Sequence, residues 1–170
     1  NDGGGNNFSA TSPLVNSEVQ QVYAVDLASS QEKYATVGSY VYFAHTITNK
    51  GNGKDTFALS GTPGSALSGA DVYRDSNANG VIDNGEAIIT SIDLAAGEQQ
   101  ALIVKTRLVT TAGGTQPTLD LNASRFGATG GDEGAVPTTN TDTVTATTGS
   151  VMDVLKGITV NSGAPGDETT

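Results

Sequence analysis

The segment Tyr40-Val-Tyr-Phe-Ala-His-Thr-Ile-Thr48 alternates residue by residue, placing Val41, Phe43, His45 and Ile47 on one side of an extended chain and Tyr40 and Tyr42 on the other. A period of two belongs to a β-strand with one face in a core, whereas a helix would scatter these residues around its circumference. Asn49-Lys-Gly-Asn-Gly53 then breaks the pattern with residues that favour turns. The same grammar recurs over residues 54–60, with Phe57 and Leu59 on one face, over 70–74, over 87–94, and around Leu119, Leu121 and Ala123. Residues 141–148 and 151–160 read as two further extended segments, after a Gly-rich exposed loop over 127–137. The stretch 98–109 contains Glu, Gln, Ala, Leu and Lys, which also suit a helix, yet Leu102, Val104, Thr106 and Leu108 alternate, so a strand is expected. About eight to ten short strands separated by Gly and Asn turns predict an all-β, antiparallel β-sandwich. No fixed-period repeat divides the chain into an array.

Within this pattern lies a loop whose chemistry is specific. Asp75-Ser-Asn77-Ala-Asn79-Gly80-Val81-Ile82-Asp83-Asn84-Gly85-Glu86 places oxygen donors at loop positions 1, 3, 5, 9 and 12, with glycine at position 6 where the backbone turns sharply. Calcium is a hard cation that takes six to eight oxygens, and alternate residues of a tightly wound loop converge on one point. Asp75, Asn77 and Asn79 supply side-chain oxygens in this reading, Val81 its carbonyl, Asp83 a direct or water-mediated contact and Glu86 a bidentate carboxylate; Ile82 anchors the loop to the fold. A bare turn rich in Asp, Asn and Gly is the plain alternative. Three formal negative charges, on Asp75, Asp83 and Glu86, point to a structural ion held with a dissociation constant on the order of 10⁻⁵ to 10⁻³ M. The loop is expected between two strands, where no helix pair exists to open, so it reads as a clip that fixes one hairpin and not as a sensor.

Composition narrows the setting. The chain of 170 residues carries a net charge of -10 and only 8 Lys plus Arg, which speaks against nucleic acid as a partner, because phosphate binding needs a basic patch. No apolar stretch approaches the length of a membrane span. Cysteine is absent, so neither disulfides nor thiol chemistry contribute, and a bound ion would do the cross-linking that a disulfide does in many secreted domains. The N-terminal Asn1-Asp-Gly-Gly-Gly-Asn-Asn7 reads as a mature, processed end.

The run from Val37 through Thr48-Asn-Lys-Gly-Asn52 to Thr56-Phe57 and Ser60 resembles the core of the prokaryotic conserved-repeat surface domains, often catalogued as domain of unknown function eleven. Asp71-Val-Tyr-Arg-Asp75 with the calcium loop, Leu94-Ala-Ala-Gly-Glu98 and Asn140-Thr-Asp-Thr-Val144 are similar to the second half of the same family, so the resemblance covers about residues 24 to 148. It implies an immunoglobulin-like sandwich in secreted, cell-surface or envelope proteins, where such modules serve adhesion, spacing or assembly. Dockerin-like loops of similar sequence bind calcium as a structural ion.

The chain is therefore divided into a leader or exchangeable arm over 1–17, one sandwich domain over 18–160, and a polar tail over 161–170. Open sheet edges invite pairing, and the apolar Val151-Met-Asp-Val-Leu155 region, or the N-terminal segment, would join subunits if it added to a neighbour's sheet. The alternative is that both ends fold back as first and last strands of their own domain. His45, the only histidine, sits mid-strand on an apolar face and reads as a packed core residue, because a catalytic histidine needs an orienting partner and a nucleophile in reach. Neither Gly3-Gly-Gly5 nor Gly113-Gly114 is followed by the Lys-Ser/Thr of a phosphate loop. Five Tyr and no Trp give weak support to a carbohydrate platform, although Tyr40 and Tyr42 share the outward face; cross-strand packing is the simpler account of that pair. The expectation is a non-enzymatic, secreted, calcium-stabilised structural subunit of an extracellular or cell-surface assembly, partnered by copies of itself or other surface proteins. An adhesin or carbohydrate-binding module, with a glycan as partner, is the alternative.

Overall fold

The structure, a computed structural model, describes residues 17–134 and 136–148. The expected leader and tail, and the extended segment over 151–160, lie outside the described residues, apart from position 17. Nine strands are present among the described residues: β1 Val25–Ala28, β2 Glu32–Ala35, β3 Tyr40–Asn49, β4 Asp55–Pro63, β5 Leu67–Asp75, β6 Ser91–Leu94, β7 Gln99–Leu108, β8 Thr118–Arg125 and β9 Thr138–Ala146. A four-stranded sheet in the order β1-β3-β7-β5 faces a five-stranded sheet in the order β2-β9-β8-β4-β6. The fold is an immunoglobulin-like β-sandwich, and 98–109 is a strand, since β7 pairs with both β3 and β5 over most of its length. No helix among the described residues is long and apolar enough to cross a membrane.

Alternation explains the core. Val41, Phe43 and Ile47 of β3 and Leu102, Val104 and Leu108 of β7 meet Phe57 and Leu59 of β4, Leu119 and Leu121 of β8, and Val144 of β9. Phe43 and Phe57, at 0% and 1% exposure, are the largest side chains in this layer. Burying each contributes roughly 1.5–3 kcal/mol relative to exposure.

Three features depart from the sequence expectation. One pairing is not antiparallel, since β2 runs parallel to β9, Glu32 opposite Thr143 through Ala35 opposite Ala146. The N-terminal strand is also split: β1 pairs with β3 in one sheet, and the chain then crosses at residues 29–31 to lie as β2 in the other. Such a switch lets one short segment cover an edge of each sheet, which limits exposed pairing groups. Third, residues 87–94 are not one strand. Residues 87–89 return alongside β5, with Ile88 bridging to Tyr73, and Ser91–Leu94 then pairs with β4 in the opposite sheet, so the loop at 75–86 closes a short hairpin on β5 and the crossing between sheets follows it.

The Asn49 turn likewise joins the two sheets. Asn49, 1% exposed, donates through Nδ2 to the carbonyls of Gly53 and Leu94, each at 2.9 Å, while its Oδ1 accepts the Gly51 N–H at 2.8 Å. One carboxamide thus satisfies three backbone groups that the bend would leave unpaired inside the protein. Close approach of backbones also matters at Gly61 of β4, where a Cβ would come within 2.4 Å of the Ala70 Cβ of β5.

Candidate calcium site

Strand β5 delivers Asp75 at the point where the chain leaves the four-stranded sheet, and the base of the loop is closed behind it. The Arg74 N–H donates to the Ala87 carbonyl at 3.1 Å and the Ile89 N–H to the Val72 carbonyl at 2.8 Å. From that base the loop folds back over the outer face of β3 and β7. A Cβ on Gly80 would stand 3.8 Å from the Ala44 Cβ, and Ile82 lies with Tyr42 and Tyr73 around a shared cavity. Beneath the loop Ile103 is fully buried although it points away from the main core. The expected anchoring role of Ile82 thus acquires definite neighbours.

Gly80 adopts φ +74°, a left-handed conformation that glycine accepts without the steric penalty of a side chain. That turn aims consecutive N–H groups at Asp75, whose carboxylate accepts the Gly80 N–H at 2.8 Å and the Asn79 N–H at 3.2 Å. Asn77 Oδ1 accepts the Asn79 N–H at 3.2 Å, and Asn79 Oδ1 accepts the Val81 N–H at 2.8 Å. Asp83 Oδ2 accepts from Nδ2 of both Asn77, at 2.7 Å, and Asn79, at 2.8 Å. Glu86 closes the ring of contacts, its two oxygens accepting the Ser76 N–H at 2.8 Å and the Asp83 N–H at 3.0 Å. The five side chains singled out by spacing are therefore joined in one network, which Val81 enters through its N–H and not through the carbonyl expected as a ligand.

The donor set is all oxygen, which suits a hard cation. Each Asn Oδ1 uses one lone pair on a backbone N–H and retains another. Asp83, in contrast, is engaged by two amide N–H₂ groups that a cation would repel, so ion binding requires those carboxamides or Asp83 to turn. Among the described residues no three His, Cys, Asp or Glu side chains form a metal-holding group by themselves, so any ion must draw on Asn77, Asn79 and a carbonyl as well as on carboxylates. Asp75 is the residue whose environment asks for a cation. It is 2% exposed, its partners are uncharged N–H groups, and no Lys or Arg among the described residues stands within ion-pair distance. A buried charge without a counter-charge is costly, and a cation would offset that cost.

His45 is buried as expected, and the structure supplies a partner that spacing did not reveal. Its Nε2 lies 2.8 Å from Asp142 Oδ2 across the sandwich, with both side chains fully shielded. Asp142 Oδ1 accepts the Gln31 N–H at 2.9 Å, which fixes the point where the N-terminal strand changes sheets. Tyr40 and Tyr42 are 54% and 44% exposed, and the Lys105 ammonium stands 4.6 Å from the centre of the Tyr40 ring.

No family model matches the sequence, and no curated protein matches it. Among solved structures, the chain is similar to a family 123 glycoside hydrolase from Clostridium perfringens, with TM-score 0.47 and 7% identity over 74% of this chain and 27% of that one. It is similar to the native alpha-2-macroglobulin of Escherichia coli, with TM-score 0.47 and 14% identity over 73% of this chain and 7% of that one. A PapD-like domain of human CEP192 gives TM-score 0.41 and 13% identity over 82% of this chain and 96% of that one. The chain thus spans about a quarter of the hydrolase's length. The fold assignment stands on the strand pairing itself.

Proposed function

We propose that this chain is a non-enzymatic, calcium-stabilised structural module of a secreted or cell-surface assembly, akin to the conserved-repeat surface domains. The observation that carries the calcium reading is Asp75, a carboxylate 2% exposed at the head of an all-oxygen loop and lacking a cationic partner among the described residues. Asp75, Asn77, Asn79, Asp83 and Glu86 would hold the ion with the Val81 carbonyl. Because the loop closes a short hairpin on β5, with the Arg74 N–H bonded to Ala87 and the Ile89 N–H to Val72, the ion would tie that hairpin just before the chain crosses to β6 of the other sheet. In a chain without cysteine that tie replaces a covalent cross-link.

The non-enzymatic reading is supported by the enclosure of His45, whose Nε2 is occupied by Asp142 and whose Nδ1 is buried without a partner. Strand exchange with neighbouring copies is supported by β5, a nine-residue strand at the edge of the four-stranded sheet, which offers pairing groups to an added strand along its outer side. Thermal unfolding with calcium and with chelator tests the central claim. At a 100-fold excess over its dissociation constant the ion contributes about 2.7 kcal/mol, or about 5–10 °C in melting temperature. An unchanged melt sinks the calcium reading. Light scattering that shows only monomer at high concentration in calcium removes the assembly.

A further inference from the structure

Beside the loop, on the outer face of the four-stranded sheet, a cavity of about 480 Å³ is lined by Tyr42 of β3, Tyr73 of β5, Lys105 of β7 and Gly80, Val81 and Ile82. Its volume lies within the range of small-ligand sites. Tyr42 stands directly opposite Lys105 in the β3–β7 register, and Tyr73 sits on the other side of β7 opposite Ile103, so two phenol rings flank a lysine. Tyr42 is 44% exposed and Val81 59%, which leaves the cavity open to a ligand from solvent.

Among the described residues that line the cavity, the one charged side chain is the cation Lys105. Among the described residues Lys105 and Arg107 form no ion pair, although the whole chain carries a net charge of -10. Asp71 is the residue across from Lys105 on β5, yet it lies beyond ion-pair distance, and the ammonium instead rests over the Tyr40 ring at 4.6 Å. Arg107 stands over the same ring at 5.7 Å. Lys105 beside Tyr42 and Tyr73 makes a local site for an anion that also has an apolar face.

We propose that this cavity binds a uronic acid residue of an acidic glycan. The C–H face of the sugar ring packs on Tyr42 and Tyr73, and its carboxylate meets Lys105. Tyrosine suits this role because its ring is broad and rigid and its hydroxyl stays wet. Gly80–Ile82 form one wall, so occupancy depends on the order of the loop. The binding chemistry stands on Tyr42, Tyr73 and Lys105, and only this dependence on calcium rests on the reading of the loop given above.

The test is calorimetric titration of the whole chain with a hyaluronan hexasaccharide, chitohexaose as a neutral glycan, and a hexaglutamate peptide, each in calcium and in chelator. The hyaluronan hexasaccharide is expected to bind at least tenfold more tightly than either comparator in calcium. Tyr42→Ala is expected to abolish that binding, and Lys105→Gln to erase the preference over chitohexaose, both with unchanged melting curves. Absence of hyaluronan binding in both buffers, or equal binding of the peptide or the neutral glycan, overturns the site. Equal hyaluronan affinity in calcium and chelator keeps the site and overturns its dependence on the ion. If either variant melts lower, Tyr42→Phe and Lys105→Arg serve instead: the first is expected to retain binding and the second to retain the acidic preference, and loss in either overturns the assigned contacts.

Discussion

His45 Nε2 and Asp142 Oδ2 stand 2.8 Å apart with both side chains shielded from solvent, joining β3 of one sheet to β9 of the other. Asp142 also accepts the Gln31 N–H at 2.9 Å, so one carboxylate holds the sandwich together and fixes the sheet-switching N-terminal strand. Asp142→Ala leaves His45 and the Gln31 N–H without that acceptor, and the expected loss is about 3–5 kcal/mol, as when one member of a buried pair is removed. Urea unfolding measures it. A loss below about 1 kcal/mol, within the range of an exposed pair, would show that the pair does not tie the sheets.

The ion and the loop's own hydrogen bonds are separable at Asp75. Asp75→Ala removes the acceptor of the Asn79 and Gly80 N–H groups and is expected to cost about 1–3 kcal/mol even in chelator. It is also expected to abolish the rise in melting temperature on adding calcium, so the variant melts alike in both buffers. A variant that still responds to calcium as the parent does places the ion elsewhere. Gly80→Ala is the companion measurement, because φ +74° strains alanine while the nearest atom, the Ala44 Cβ, is at 3.8 Å and leaves room. The expected cost, about 1 kcal/mol, is backbone strain alone.

Much of this arrangement is legible in the sequence, for definite reasons. The side-chain period of two made β3 readable, and it resolved β7 despite its helix-compatible residues, since Leu102, Val104 and Leu108 all face the core. The loop side chains that spacing groups together meet in one hydrogen-bond network because that spacing is local. What spacing cannot express is contact between residues distant in sequence. The His45–Asp142 pair spans 97 positions, the parallel β2–β9 pairing joins the first part of the chain to the last, and residues 87–94 divide between two sheets because Ile88 and Ile92 answer to different partners. The Glu32-Lys-Tyr-Ala35 strand escaped notice for a related reason: three of its four side chains are exposed, so it carries little apolar alternation.

Two surface carboxylates give the expected response to acid. The Thr56 hydroxyl, donating to Asp93 at 2.6 Å, and then Lys54, at 3.0 Å, hold the Asp93 pKa below the ordinary 3.8. The Thr129 backbone N–H does the same for Asp132, followed by the Thr129 hydroxyl. A carboxylate whose folded pKa is depressed contributes stability above the unfolded value, and that contribution disappears as pH falls through the folded one. The window therefore lies below pH 3.8, and salt narrows the Lys54 part by screening. Thr56→Val is expected to raise the Asp93 midpoint toward 3.8 in an NMR titration while Asp132 stays in place; no movement of Asp93 would refute the assignment.

Ile103 offers the most direct test of how the loop sits. By strand alternation it faces away from the core shared by Leu102 and Val104, and an outward residue in an uncovered sheet would be exposed. It is 0% exposed because Ala44 and Tyr73, its register partners, flank it and the loop lies over that face. Ile103→Ala is then a buried truncation, expected to cost about 2–5 kcal/mol, whereas substitutions at an open surface position stay within about 0.5 kcal/mol. Measuring it in chelator keeps the result independent of any ion. Proteolysis within residues 76–85 is expected to quicken in the variant, since the loop loses the apolar surface it covers. A change below about 0.5 kcal/mol with unaltered cleavage would mean that the loop stands clear of the sheet in solution.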